Sequence, residues 1–304
     1  MIGWICYWII NMSIVASFMG LIVMLIRKIR SIPHRVSVFL WIIPFLRMVV
    51  PVGINSPYSL MSLVSKLTTK TVIVYQPSDD LAFSVSNTIR AAESYSPITY
   101  KADFLETVFN VTGFIWIVGA LALLIALTIL YISTKRAVAD AEKLESNIFL
   151  SGKVDSPAVY GIFRPKIVIP ESYKEKELEY IIRHEKTHIK RLDNLWRIIG
   201  FLTAAIHWFN PLSWVFLKAF LTDLELACDE MAVAGYEKEE RKEYVRTLLE
   251  CSQSKSMLVS AFGGAKVRTR IENVLSYKKM TAFSAMGFTL LVLVIIFTLV
   301  TNAG

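Results

Sequence analysis

His184-Glu185-Lys186-Thr187-His188 sets two imidazoles four residues apart, with a carboxylate directly after the first. On an α-helix, residues i and i+4 share a face, so both imidazoles can reach one metal ion while Glu185 reaches a water held beside it. Downstream, Glu225-Leu226-Ala227-Cys228-Asp229 offers a carboxylate for a third ligand and a second carboxylate one helical turn later. A catalytic zinc takes three protein ligands and keeps one position open for water, and His184, His188 and Glu225 meet that requirement. Zinc lowers the pKa of a bound water toward neutrality and polarises a carbonyl, leaving Glu185 to take the water's proton as general base and pass it to a leaving amine. That chemistry is peptide hydrolysis. An HExxH string alone also occurs by chance on surface helices, so its weight comes from lying in a helix-forming stretch with a third ligand on another helix.

Around these residues the types allow supporting roles. Asp229, one turn beyond Glu225, is placed to hydrogen-bond a ligand imidazole and fix its tautomer. Asp193, soon after His188, is a weaker candidate for that task and reads first as an ordinary polar residue near a helix end. Cys228 could ligate zinc but reads first as a small buried apolar residue. His207 reads as an interfacial histidine, and His34 has no evident role. The three cysteines, Cys6, Cys228 and Cys251, form no CxxC pair and read as free thiols of a reducing compartment.

Positioning these groups requires a helix over 174–192 carrying the motif and a second over 213–234 carrying Glu225 and Asp229. Between them, 195–221 is almost wholly apolar and interrupted by Trp208-Phe209-Asn210-Pro211. A membrane crossing there would put the motif and Glu225 on opposite sides, so it reads as a hairpin of two helices broken at Asn210-Pro211, dipping into the inner leaflet or packed against other spans. Upstream, 134–147 is rich in helix formers and reads as a helical continuation of the preceding apolar segment. Residues 156–161 and 163–170 read as short strands; prolines at both ends of the second suit an edge strand, which either receives an extended substrate or simply packs on the helices. Residues 237–243 read as solvated surface, 251–267 as a Ser/Gly-rich linker and candidate self-cleavage site, and 266–279 as a basic amphipathic stretch.

Composition sets the frame. The chain of 304 residues is 54% hydrophobic with a mean hydropathy of +0.50, too apolar for an ordinary soluble protein. Apolar runs over about 2–26, 36–53, 108–132 and 282–300 each approach the roughly 20 residues that cross a bilayer. The second is short and holds Pro44 and Arg47. The first is too long for a signal peptide, and its basic residues follow rather than precede it. Arg27, Lys28, Arg30 and Arg35 fill the first link, Lys135 and Arg136 follow the third run, and Lys278 and Lys279 precede the fourth. Basic clusters mark the cytoplasmic ends of spans, whereas residues 54–107 carry four basic and five acidic residues, as suits an external loop.

The expectation is thus a mainly α, four-span integral membrane protein of a bacterial-type plasma membrane, both termini external. Residues 1–53 hold two spans and their link, 54–107 an extracellular loop, 108–132 the third span, 133–279 a cytoplasmic α+β zinc metallopeptidase domain, and 280–304 the fourth span with a short tail. The net charge of +8 reports this orientation, with no phosphate-binding stripe that would imply direct nucleic-acid contact.

The segments Gly161-Ile162-Phe163-Arg164-Pro165-Lys166-Ile167-Val168-Ile169-Pro170, the extended motif through Asp193, His207-Trp208-Phe209-Asn210-Pro211-Leu212 and Glu225 to Asp229 together resemble the BlaR/MecR antirepressor family of integral-membrane zinc metallopeptidases. The resemblance implies zinc on His184, His188 and Glu225, with Glu185 as base and Asp229 in support. It also implies a transducer whose peptidase cleaves itself or a cytoplasmic transcriptional repressor after an external stimulus, and it leaves open a homodimer. In the resistance transducers a penicillin-binding domain follows the fourth span. This sequence ends at Gly304, and Ser252-x-x-Lys255 and Ser276-x-x-Lys279 stand without companion acylation motifs, so β-lactam is not expected as a direct covalent ligand. The alternative is a catalytically idle transducer that relays a stimulus by contact, which equal signalling by wild type and Glu185→Gln would favour.

Overall fold

The computed structural model describes residues 2–29, 32–50, 55–56, 103–173, 175–253, 265–277, 282–300 and 302–303. Most of the expected 54–107 loop and the centre of the 251–267 linker lie outside these residues.

Two described helices are long and apolar enough to cross a membrane: α1, Ile2–Ile26, and the segment Val108–Ala137 of α4, Asp103–Ala137. Phe114, Ile115, Val118, Leu121, Ile125 and Ile129 on α4 are exposed, a surface that water would not tolerate but hydrocarbon would. The segment expected as a continuous second span is two short helices, α2 (His34–Leu40) and α3 (Ile42–Val49), meeting at Trp41. Pro44 explains the restart: it falls in the first turn of α3, where its missing N–H needs no partner.

The apolar stretch after the motif forms α6, Asp193–Ile206, and α7, Pro211–Ala232. Asn210 makes the break. Its side chain accepts from Leu212 N at 2.9 Å, capping α7 ahead of Pro211, and its amide donates to Ser13 and Ser17 of α1 at 2.7 and 2.8 Å. Of the two placements expected for this hairpin, packing against the apolar helices is observed: Phe216, Leu217 and Phe220 share one core with Met19 of α1, Trp41, and Phe45 of α3. Gly20 lets α1 come this close, since a Cβ there would lie 2.2 Å from the Phe216 ring. His207, buried in the turn, pairs with the Met48 carbonyl at 2.9 Å.

Four strands form a small sheet in the order β1-β2-β4-β3: β1 Glu142–Glu145, β2 Ile148–Leu150, β3 Ala158–Tyr160, β4 Lys166–Ile169. Two expectations are corrected here. α4 stops at Ala137, and 142–145 is a strand although its residues favour helix, because an antiparallel partner at 148–150 overrides local propensity. The proline-flanked strand β4 is interior, with β2 parallel on one side and β3 antiparallel on the other. Pro165 and Pro170 sit just beyond its paired residues, so no ladder hydrogen bond is lost. The edge strands are β1 and β3, and on the β3 side the carbonyls of Val159 and of Gly161 just after it accept from the Asn194 amide at 2.9 and 3.1 Å. Gly161, at φ +91°, makes this exit in a conformation that favours glycine. Ile148, Ile167 and Ile169 pack the sheet on Ile181 of α5, Glu175–Arg191, the helix that carries the motif.

α8, Lys238–Gln253, and α9, Val267–Ser276, close the opposite flank around Tyr244, Leu248 and Val274. The last helix, α10, covers Ala282–Val300, as the fourth apolar run predicts.

α7 is gripped by the α1–α2 link. Asp223, fully buried, accepts from Arg27 Nε and Nη2 at 2.9 and 2.7 Å and from Trp41 Nε1 at 2.8 Å, and pairs with His34 Nδ1 at 3.1 Å. Glu230, two turns on, accepts from the His34 backbone at 3.0 Å and faces Arg35 Nε at 3.5 Å. His34, without evident role in the sequence, is thus part of a clamp. Burial opposes the Asp223 charge, but His34, Arg27 and Trp41 outweigh it and hold the carboxyl below its ordinary range.

Candidate metal centre

His184, Glu185 and His188 lie on the buried face of α5, and Glu225 reaches them from α7. The His184 and His188 Nε2 atoms are 3.1 Å apart; Glu225 Oε2 lies 3.8 Å from the first and Oε1 3.7 Å from the second. A tetrahedral ion about 2.1 Å from each donor would hold them about 3.4 Å apart, so the three converge with only tenths of an ångström to adjust.

The outer nitrogens decide what the inner ones can do. His188 Nδ1 is 2.6 Å from Asp193 Oδ2. α5 ends at Leu192 in a left-handed conformation, φ 57° and ψ 34°, which folds α6 back so that its first residue, Asp193, returns to His188. The other Asp193 oxygen faces Arg191 Nη2 at 3.4 Å. His184 Nδ1 lies 2.8 Å from the Tyr244 hydroxyl, which donates to Asp229 Oδ1 at 2.7 Å. This network places a proton on each Nδ1 and turns both Nε2 atoms toward one point, where they can ligate once His188 gives up its second proton. Two Nε2 atoms at 3.1 Å need a proton or a metal ion between them, and the Glu225 carboxylate facing both makes the pocket fit a metal ion once the proton leaves.

Asp193, the weaker candidate by sequence, makes the shorter contact to an imidazole; Asp229 lies 3.3 Å from His184 Nδ1 and also acts through Tyr244. Cys228 Sγ approaches His184 Nδ1 at 3.6 Å, and ligand-capable atoms of His184, His188 and Cys228 fall within 4.8 Å of one another. Its contact is to the nitrogen engaged by Tyr244, whereas the Glu225 oxygens face both Nε2 atoms. Glu185 is buried beside His184, and its charge, after burial, raises the pKa of Tyr160 on β3.

Three residues reach the centre that sequence reasoning did not single out. Arg197 of α6 binds Glu225 Oε1. Arg270 of α9 forks onto Asp229, Nε to Oδ2 at 2.8 Å and Nη2 to Oδ1 at 2.7 Å, with Nη2 also 3.2 Å from His184 Nε2. Tyr244 is the third. Signals existed: Tyr244, Leu248 and Cys251 form an i, i+4, i+7 stripe on a charged helix, and Arg270 falls on the same face as Val267, Ile271 and Val274.

The charges shape one another. Burial opposes protonation of His188, but Cys228, Glu225 and Asp193 outweigh it and push the imidazole up to about 9. Burial likewise opposes the Glu225 charge, and His188, His184, Arg197 and Arg270 hold the carboxyl well below its ordinary range.

A helix presenting two histidines and a carboxylate, facing a second helix with another carboxylate, defines a metal-dependent hydrolase type of centre. The chain belongs to the BlaR1 peptidase M56 family, whose profile matches residues 7–274. That family implies a metal, and the residues present fit one. Among similar proteins, the methicillin resistance mecR1 protein of Staphylococcus aureus is 28% identical over 149 residues, 45% of this chain and 26% of that protein. The regulatory protein BlaR1 of Bacillus licheniformis is 27% identical over 151 residues, 45% and 25% of the two chains. The BlaR1 of Staphylococcus aureus is 24% identical over 257 residues, 73% and 44%. The chain spans less than half the length of each.

Proposed function

We propose that this chain is a membrane-embedded zinc metalloendopeptidase that transduces an external stimulus by cleaving itself or a cytoplasmic repressor-type protein. The observation that carries the reading is the convergence of His184 Nε2 and His188 Nε2, 3.1 Å apart, with the Glu225 carboxylate facing both. Bound to His184, His188 and Glu225, zinc would polarise the scissile carbonyl and acidify a water. Asp193 and the Tyr244–Asp229 pair hold the imidazoles in the ligating tautomer. Arg197 orients Glu225. Glu185 takes the proton of the attacking water and returns it to the departing amine.

The clamp supports the expected topology. Arg27, His34 and Arg35 from the first link bind the helix that bears Glu225, so link and metal centre lie on one side, which the basic residues mark as cytoplasmic. A parallel pairing of Asn55–Ser56 with Asn302–Ala303 brings the residues after α3 beside the end of α10, in keeping with a shared opposite side.

The test is metal content of the detergent-purified chain with Glu185→Gln, His188→Ala and Glu225→Ala. Near one zinc per chain is expected in wild type and Glu185→Gln and its loss in the other two, with cleavage absent from all three variants. Cleavage retained by Glu185→Gln would sink the peptidase mechanism, and equal signalling by that variant would favour a relay by contact.

A further inference from the structure

We propose that Arg270 is a catalytic residue of this centre, the donor that stabilises the carbonyl oxygen as it becomes negative during hydrolysis; this rests on the peptidase reading above. The guanidinium is fixed before any substrate arrives. Its fork onto Asp229 uses Nε and one N–H of Nη2, and Asp229 is itself fully buried and bound by Tyr244. The remaining N–H groups face inward. Nη2 is within hydrogen-bond distance of His184 Nε2 at 3.2 Å and Nη1 is 3.7 Å from Glu225 Oε2, so they border the point where the two imidazoles and the carboxylate converge. Arg197, by contrast, meets the ligand carboxylate. Arg270 therefore combines a rigid anchor, a permanent charge and, at Nη1, donors beside the reacting position.

The step it would serve balances simply. Water oxygen bonds to the carbonyl carbon while the carbonyl π pair moves onto oxygen, and the proton released goes to Glu185. The oxygen pair then reforms the double bond as the C–N bond breaks, and Glu185 gives its proton to the amine nitrogen. Arg270 changes no bond; its donors face the charge that exists only between these two events, so its contribution falls on the transition state. Asn273 of the same helix bonds the Leu226 carbonyl at 3.1 Å and so holds α9 against α7, the helix that bears Glu225.

The test uses the full zinc-loaded chain in detergent with two probes of matched apolar side chains: an N-phosphoryl dipeptide, which presents the extra anionic oxygen of the tetrahedral state, and a mercaptoacetyl dipeptide, which binds metal without it. Arg270→Gln removes the donor. Because it leaves Asp229 without its cation, the double variant Asp229→Asn with Arg270→Gln supplies a neutral pair that keeps the fold testable. The expected result, in whichever variant keeps wild-type zinc content and thermal midpoint, is an about 100-fold loss of phosphoryl-probe affinity. The mercaptoacetyl probe should stay within about threefold of wild type. Equal loss for both probes, unchanged phosphoryl affinity, or loss of zinc in both variants would overturn the assignment and leave Arg270 a structural partner of Asp229. Wild type that binds zinc but neither probe would instead overturn the peptidase reading, and this proposal with it.

Discussion

Tyr244 shows how much of the centre depends on groups that never touch a metal. Its hydroxyl accepts from His184 Nδ1 and donates to Asp229, so Tyr244→Phe removes the nearest partner of that N–H and leaves it the longer contact to Asp229 at 3.3 Å. We expect Tyr244→Phe to keep the fold and to weaken metal affinity by about 10- to 100-fold, read by competition with a chromogenic chelator. Proton linkage gives a second test at this scale. His188 rises from 6.5 to about 9 in the metal-free protein, so its charged form stabilises that state fully below 6.5, and the benefit is lost as pH passes about 9. Metal must displace this proton, and affinity should therefore climb with pH across that window. Calorimetry in buffers of different ionisation enthalpy should find proton release at pH 7.5; binding without it would contradict the assignment.

Between elements, the Asp223 clamp joins the α1–α2 link to the helix of Glu225. Asp223→Asn removes the buried charge that Arg27 and His34 share, and we expect a loss of about 2 kcal/mol, seen as a lower thermal midpoint at neutral pH. Because the folded carboxyl is held below its ordinary value of 3.8, its contribution is present above that value and lost as pH falls through the lower folded one. The gap between variant and wild type should thus close in acid; a constant gap would mean that the loss is packing, not charge. At this scale the sequence served unevenly. The motif helix, the Asn210 break and α7 were legible because helical periodicity and a capping Asn-Pro are local signals. β1 was not, since a partner strand decided the state of residues 142–145. Nor was the interior place of β4, because flanking prolines do not tell which side is paired.

For the whole molecule, the reading of the first link and the metal centre as one-sided gives a labelling experiment. In a cysteine-free background, single cysteines at Lys28 and Lys186 should react with a membrane-impermeant maleimide only from the cytoplasmic side. One at Ser78 should react only from outside, and labelling of Lys28 and Lys186 from opposite faces would break the topology. The residue types and spacings determined the ligand set to look for, the two metal helices and the apolar character of the chain, because those are properties of neighbours along one helix. Only the tertiary structure decided which aspartate meets which histidine, that Tyr244 relays one of them, and that Arg270 reaches the centre from a helix far along the chain. The reason is physical: hydrogen bonds and ion pairs between distant segments depend on angles and ångströms set by core packing, and no local pattern encodes them.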